Sequence, residues 1–291
     1  MSAGQVLQLI FSGLTTGSIY SLIALAAVLT YASTGVLNLA LGEFVAWGAL
    51  AAVSAQSAGL PLWACAAAAC AACAVLGVAV ERAAVRPVAG APPLVPIITT
   101  LGASISLRGL ALIVWGTHPY ALPPFTGGGP LLVGGAALPR QGVWVMAAAA
   151  LVFVLLAAFF KFTRAGMALR ACMLSRTGAR LVGISPYTAL TWAFAGSGVL
   201  GALAGVTVAP LTLATYDMGF ILGIKGLVAA IAGGMHSAGG AVLGGLALGL
   251  LEAFAAGTIS SGLKDAIALS ALIALLLVKP QGIFGTSSRK M

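Results

Sequence analysis

Between Met1 and Gly42 the chain carries no charged side chain. Residues 6–31 of that stretch form one apolar run, long enough as a helix to cross a hydrocarbon core about 30 Å thick. Comparable runs recur at 35–54, 62–80, 94–115, 143–160, 189–213, 220–233, 240–256 and 264–278. A chain built this way must satisfy its backbone hydrogen bonds inside each segment, which in lipid leaves helices or closed barrels. Segments of this length and uniform apolarity select helices, so the sequence predicts an all-α, polytopic transmembrane bundle of about eight to ten spans. Residues 35–54 are interrupted by Asn38, Gly42 and Glu43, and 220–233 is short and holds Lys225. Those two segments are expected to be broken or re-entrant. If every segment crosses, the N-terminus lies outside; if one of these two does not, it lies inside.

Composition agrees. Charged residues make up 7% and hydrophobic residues 61%, whereas a water-facing domain needs about a quarter charged. The formal net charge of +9 does not point to nucleic acid, because the basic residues form no stripe with interleaved aromatics. They sit between apolar runs, where the positive-inside rule places cytoplasmic loops. The segment 81–87 is one such loop. Residues 161–186 are another, with Lys161, Arg164, Arg170, Arg176 and Arg180 and no acid. Arg170, Ala171, Leu174 and Leu181 share one face at helical spacing, which predicts a short amphipathic helix. Residues 116–142 hold five prolines, many glycines and the single basic residue Arg140, and are expected as a turn-rich loop on the outer side. Lys279-Pro280 ends the last helix, and Arg289 and Lys290 are expected to hold the tail inside. The first run lacks a basic leader and is too long for a signal core, so it reads as a span.

Intramembrane ionisable groups are expensive and need partners or water. Glu43, Lys225 and Glu252 are the candidates. Lys225 and Glu252 are expected to pair, and Asn38 and Glu43, on a glycine-broken segment, to line a polar cavity. Gly201-x3-Gly205, Gly240-x3-Gly244 and Gly245-x3-Gly249 are expected to pack helices within the chain. Cys65, Cys70, Cys73 and Cys172 read as small packing residues, since Cys70-x2-Cys73 lacks a second ligand pair. His236, beside Gly233-Gly234, marks a loop, and Asp217 a helix start. No nucleotide-binding loop, catalytic triad or metal motif occurs: the segment Gly219-x3-Gly223-Ile224-Lys225-Gly226 lacks both the spacing and the Ser or Thr after the lysine. The chain is not expected to be an enzyme or to bind metal. A transporter without its own energy source draws it from another polypeptide, and 161–186 is the docking candidate.

Several stretches resemble the branched-chain amino acid ABC transporter permeases. They are Thr15-Thr16-Gly17-Ser18-Ile19-Tyr20-Ser21-Leu22, then Thr34-Gly35-Val36-Leu37-Asn38-Leu39-Ala40-Leu41-Gly42-Glu43-Phe44, then Thr163-Arg164-Ala165-Gly166-Met167-Ala168-Leu169-Arg170-Ala171, running on to Leu181-Val182-Gly183-Ile184. The similarity continues through Gly223-Ile224-Lys225-Gly226, Gly239-Gly240-Ala241-Val242-Leu243-Gly244-Gly245 and Lys279-Pro280-Gln281-Gly282-Ile283-Phe284-Gly285. Two departures are Cys172, where relatives often have an acid after the Arg-Ala pair, and Leu41, where they often have histidine.

The resemblance implies one permease domain over 1–291 with a type II importer-like fold, in the inner membrane of a bacterial cell. It implies a second related permease, two ABC ATPase subunits that carry ATP and magnesium, and a periplasmic binding protein. No cofactor is expected in this chain. The coupling loop would be 161–188, with Arg164, Arg170, Ala171, Arg176, Arg180 and Gly183 toward the ATPases. The outer loop would be 116–142, and Asn38, Glu43, Lys225 and Glu252 would mark the pathway. Two other readings stay open on the sequence: a related permease for urea, short amides, sugars or nucleosides, and a self-sufficient secondary carrier.

Overall fold

The computed structural model describes residues 2–260, 262–279 and 282–284, without the side chains of 176 and 272. Pro280, Gln281, Gly285, Arg289 and Lys290 lie outside the described residues. The helices are α1 (Ala3–Thr34), α2 (Leu41–Ser57), α3 (Leu62–Val80), α4 (Leu94–Trp115), α5 (Arg140–Phe162), α6 (Arg164–Leu174), α7 (Arg176–Leu181), α8 (Pro186–Thr212), α9 (Met218–Gly233), α10 (Ala238–Thr258) and α11 (Lys264–Val278). Six of them are long and apolar enough to cross a membrane: α1, α3 with its extension to Val88, α4, α5, α8 and α10. Of the two segments expected to be irregular, 220–233 is one unbroken helix, α9. Residues 35–54 are indeed interrupted, by a linker over 35–40 that precedes α2.

Helix α1 runs through the centre, its residues 18–30 almost wholly buried. A capping box between Ser2 and Gln5 opens it, and Gly35, at φ 72°, ends it in the left-handed conformation that favours glycine. The small-residue faces pack as the spacing suggests. A Cβ on Gly245 or Gly249 would strike α1 at Ser21 or Gly17, so α10 lies backbone to backbone against α1. Gly201 and Gly205 meet α2, and Gly240 and Gly244 meet α9. All three pairings are internal to the chain.

Hydrogen bonds fix the direction of the elements. Leu39 N–H reaches Thr100, Trp47 donates to the Leu107 carbonyl and Trp115 donates to Ser54, so α2 and α4 run parallel at a nearly constant sequence offset. At the N-terminal end of α1, Gln8 donates to the Ala137 carbonyl and accepts from its N–H. The loop 116–142 therefore lies at that end of the bundle. It contains a hairpin the sequence did not reveal, Leu131–Val133 (β1) against Ala136–Leu138 (β2). Gly134 and Gly135 both have positive φ, as a tight two-residue hairpin turn demands. At the other end, Tyr31 of α1 packs edge-on against His236 in the α9–α10 turn. His236 is thus in a loop, as expected. Among the described residues no group of His, Cys, Asp or Glu could hold a metal.

The segment 161–186 departs from the expected single amphipathic helix. Ser175 is extended (φ −157°, ψ 113°) and splits it into α6 and α7. Thr163 caps the first by accepting from Gly166 N–H and Ser175 caps the second by accepting from Gly178 N–H. The packed face is Gly166, Leu169, Cys172 and Ala179, not the face expected: Leu174 is 83% and Leu181 84% exposed.

Candidate translocation site

Two ionic clusters lie within the bundle. The first begins at Glu43, in the first turn of α2 and 1% exposed. A carboxylate there is favoured by the four unpaired N–H groups of the helix start. Ser104 donates to it at 2.8 Å and Arg108 at 2.7 Å, both from α4. The Arg108 guanidinium also stands 4.5 Å from the Phe220 ring centroid on α9, a favourable cation–π placement. Across the same junction, a Cβ on Gly42 would collide with the Gly219 carbonyl. The cluster therefore ties α2, α4 and α9 where their backbones touch. Its polar capacity is not filled: Glu43 Oε2 and Arg108 Nε have no hydrogen-bond partner among the described residues.

The second cluster is centred on Lys225 of α9. Its Nζ lies 2.9 Å from Glu252 Oε1 on α10 and 2.7 Å from Asp265 Oδ1 in the first turn of α11. Tyr20, near the middle of α1, donates to Glu252 Oε2 at 2.7 Å. The expected Lys225–Glu252 pair is present, and it is embedded in a larger group joining α1, α9, α10 and α11. A cavity of about 370 Å³ reaches Lys225 and Glu252 from the α1 side, where Ser12, Thr15, Thr16 and Thr212 line it together with apolar Ile19, Leu211 and Leu222 and the cation Lys264. It lies toward the end of the bundle that holds the 116–142 loop, since Ser12 and Thr15 belong to the first half of α1 and Thr212 ends α8.

Asn38 and Glu43 do not line that cavity. Asn38 is buried in the 35–40 linker, its Oδ1 accepting from the Ala40 N–H while Nδ2 has no described partner. Glu43 faces Arg108. Arg108 was not among the candidates, although it is the single charge of the run 94–115 and such a charge requires a counter-ion. That was the available signal, but it does not say which acid. Asp265 and Tyr20 were likewise missed, because a carboxylate at a helix start and a tyrosine in an apolar run each have ordinary roles of their own. Far from these clusters, Arg164, Arg170 and Arg180 are exposed on α6 and α7, and Ala171 is half-buried. Arg176 starts α7, and Gly183 follows its end at φ 80°, donating its N–H to the Arg180 carbonyl.

A many-helix bundle with six candidate spans and internal ion clusters is a frame that a membrane transport permease can use. Residues 9–278 match the family described as "Branched-chain amino acid transport system / permease component", and the chain belongs to that family. It is 33% identical over 293 residues to the high-affinity branched-chain amino acid transport system permease protein BraD of Pseudomonas aeruginosa, covering 96% of this chain and 95% of that one. It is 32% identical over 295 residues to the corresponding permease protein LivH of Escherichia coli K12, with the same coverage. Among solved structures, PsaBC from Streptococcus pneumoniae in complex with Fab superposes with a TM-score of 0.52 at 16% identity, covering 94% of this chain and 92% of that one. That likeness concerns the fold.

Proposed function

We propose that this chain is the membrane-spanning half-channel of an ATP-driven importer that moves branched-chain amino acids across a bacterial inner membrane. The observation that carries the reading is the collinear family match over residues 9–278, at nearly the full length of the relatives. The chain supplies a path and no ATP chemistry. Partner ATPases hydrolyse ATP with magnesium, a second permease completes the channel and a binding protein delivers the solute.

The distribution of charge supports an orientation. Arg82, Arg86, Lys161, Arg164, Arg170, Arg176 and Arg180 all belong to connections at the end of the bundle opposite the 116–142 loop, which supports reading that end as cytoplasmic. Within 161–188, α6 and α7 then face the ATPases, with Arg164, Arg170, Ala171, Arg176, Arg180 and Gly183 at the contact. Met167, Leu174, Leu181 and Val182 are exposed there, and an apolar patch rimmed by arginines suits a protein partner. Lys225 and Glu252 border the pathway from the outer side. Asn38 and Glu43 set the helix junction beside it.

The reading is tested in proteoliposomes holding this chain, its partner permease and the ATPases, with binding protein outside and ATP inside. Labelled leucine, isoleucine and valine accumulate only when this chain and ATP are both present. Uptake by this chain alone under an ion gradient would instead identify a secondary carrier.

A further inference from the structure

Lys225 and Glu252 belong to two cavities at once. On one side is the larger cavity described above. On the other is a smaller apolar pocket of about 150 Å³ between α9, α10 and α11, walled by Ile221, Ile224, Val228, Leu248, Ala268 and Leu269. The ion pair lies between a cavity of mixed lining, to which Ser12, Thr15, Thr16, Thr212 and Lys264 contribute polar side chains, and an aliphatic pocket.

Its electrostatics are asymmetric. Glu252 alone would neutralise Lys225, and it is fixed by the Tyr20 hydroxyl and buried. Asp265 is a second carboxylate on the same ammonium, with 51% of its side chain exposed, on the first turn of the terminal described helix. An ammonium has three donors, and here one of them holds an acid that burial does not require. The cluster thus pairs a rigid anion with a cation whose second ligand is replaceable.

We propose that this cluster is the amino-acid-selective site of the permease, a clamp for the α-ammonium and α-carboxylate with the aliphatic pocket taking the side chain. The substrate carboxylate replaces Asp265 on Lys225 Nζ, and the substrate ammonium bonds Glu252, whose position Tyr20 holds. Both charged groups of an α-amino acid sit on one carbon, so one cation and one anion that are already neighbours can meet them together. An analogue lacking either group forfeits one of the two charge-assisted bonds, while Lys225 keeps its own carboxylate partners, so nothing repays its displacement of Asp265. The branched tail leaves the clamp on the side where Ile224, Leu248 and Ala268 stand, and Ser12, Thr15, Thr16 and Lys264 supply the polar part of the approach. The proposal rests on the importer reading above and adds to it which residues choose the solute.

The test uses the complete reconstituted transporter. Lys225→Met with Glu252→Gln removes the buried pair while keeping the packing and leaves charged only Asp265, whose side chain is half-exposed to water; a merely structural ion pair tolerates such neutral replacement. The double variant is expected to assemble and to unfold at the wild-type temperature while leucine uptake falls at least tenfold. Leucine uptake at the wild-type rate would overturn the clamp and leave the importer reading intact. Wild-type transporter that imports some other solute and no branched-chain amino acid would instead overturn the importer reading. Ile224→Trp fills the aliphatic pocket from its half-exposed wall, so the test does not depend on the double variant assembling. It is expected to lower the ratio of leucine to alanine uptake at least fivefold; an unchanged ratio would overturn the assignment of the pocket.

Discussion

A charge inside an apolar bundle persists only with a partner, and at Glu43 the partner is Arg108 of α4, 65 residues further along the chain. Glu43 is buried and Arg108 is 28% exposed on its side chain, so the acid carries most of the burden of desolvation. Arg108→Ala would leave that acid uncompensated, which in a buried pair costs about 3–5 kcal/mol. The expected result is a marked loss of stability of the purified chain in detergent, read by thermal unfolding. Arg108→Met combined with Glu43→Leu is expected to recover most of that loss, since it removes both charges together. A single variant as stable as wild type would mean that water already solvates Glu43. Of the two clusters, the sequence disclosed Lys225 with Glu252, because a lone cation and a lone acid occupy apolar segments close in the chain. It did not disclose Glu43 with Arg108, since nothing local says that α2 lies parallel to α4.

Elements were legible where hydropathy alone makes them. The long helices α1, α3, α4, α5, α8 and α10 sit where continuous apolar runs placed them. Shorter features follow from geometry that the pattern does not carry. The hairpin β1–β2 has three residues per strand, too few for an alternation to register. The break between α6 and α7 depends on one extended residue, Ser175, whose hydroxyl caps the second helix. What was legible there is Gly183, where the chain leaves α7 with φ at 80°. Proline is fixed near −65° and has no N–H, so Gly183→Pro both forbids this backbone and removes the bond to the Arg180 carbonyl. The expected outcome is a transporter that assembles but loses at least ten-fold in solute-stimulated ATP hydrolysis. Gly183→Ala keeps the N–H and pays only the left-handed penalty of about 1–2 kcal/mol, so its coupling is expected to fall much less. Equal behaviour of the two variants would remove the backbone of Gly183 from the coupling route.

For the whole molecule, direction follows from a chain of contacts. Gln8 on Ala137 and Tyr31 on His236 set the two ends of α1, and α10 returns antiparallel with Val242 near Ser21 and Leu250 near Gly13. The N-terminus and the 116–142 loop therefore share one side of the membrane, and the basic 161–188 segment has the other. The sequence alone left the N-terminal side undecided, because it turned on whether 35–54 and 220–233 cross. If the basic side is cytoplasmic, as proposed above, the N-terminus is expected outside, and this can be measured with single cysteines. Gly129 lies exposed in the loop, where an added side chain meets nothing, and Thr177 lies exposed on α7. Cys65, Cys73 and Cys172 are buried and Cys70 is half-buried on α3, so replacing all four with alanine gives a silent background. In intact spheroplasts a membrane-impermeant maleimide is expected to label Gly129→Cys fully and Thr177→Cys only after permeabilisation. The reverse pattern would invert the bundle. It would also move the cavity that reaches Lys225 and Glu252 to the cytoplasmic side, where no binding protein could deliver to it.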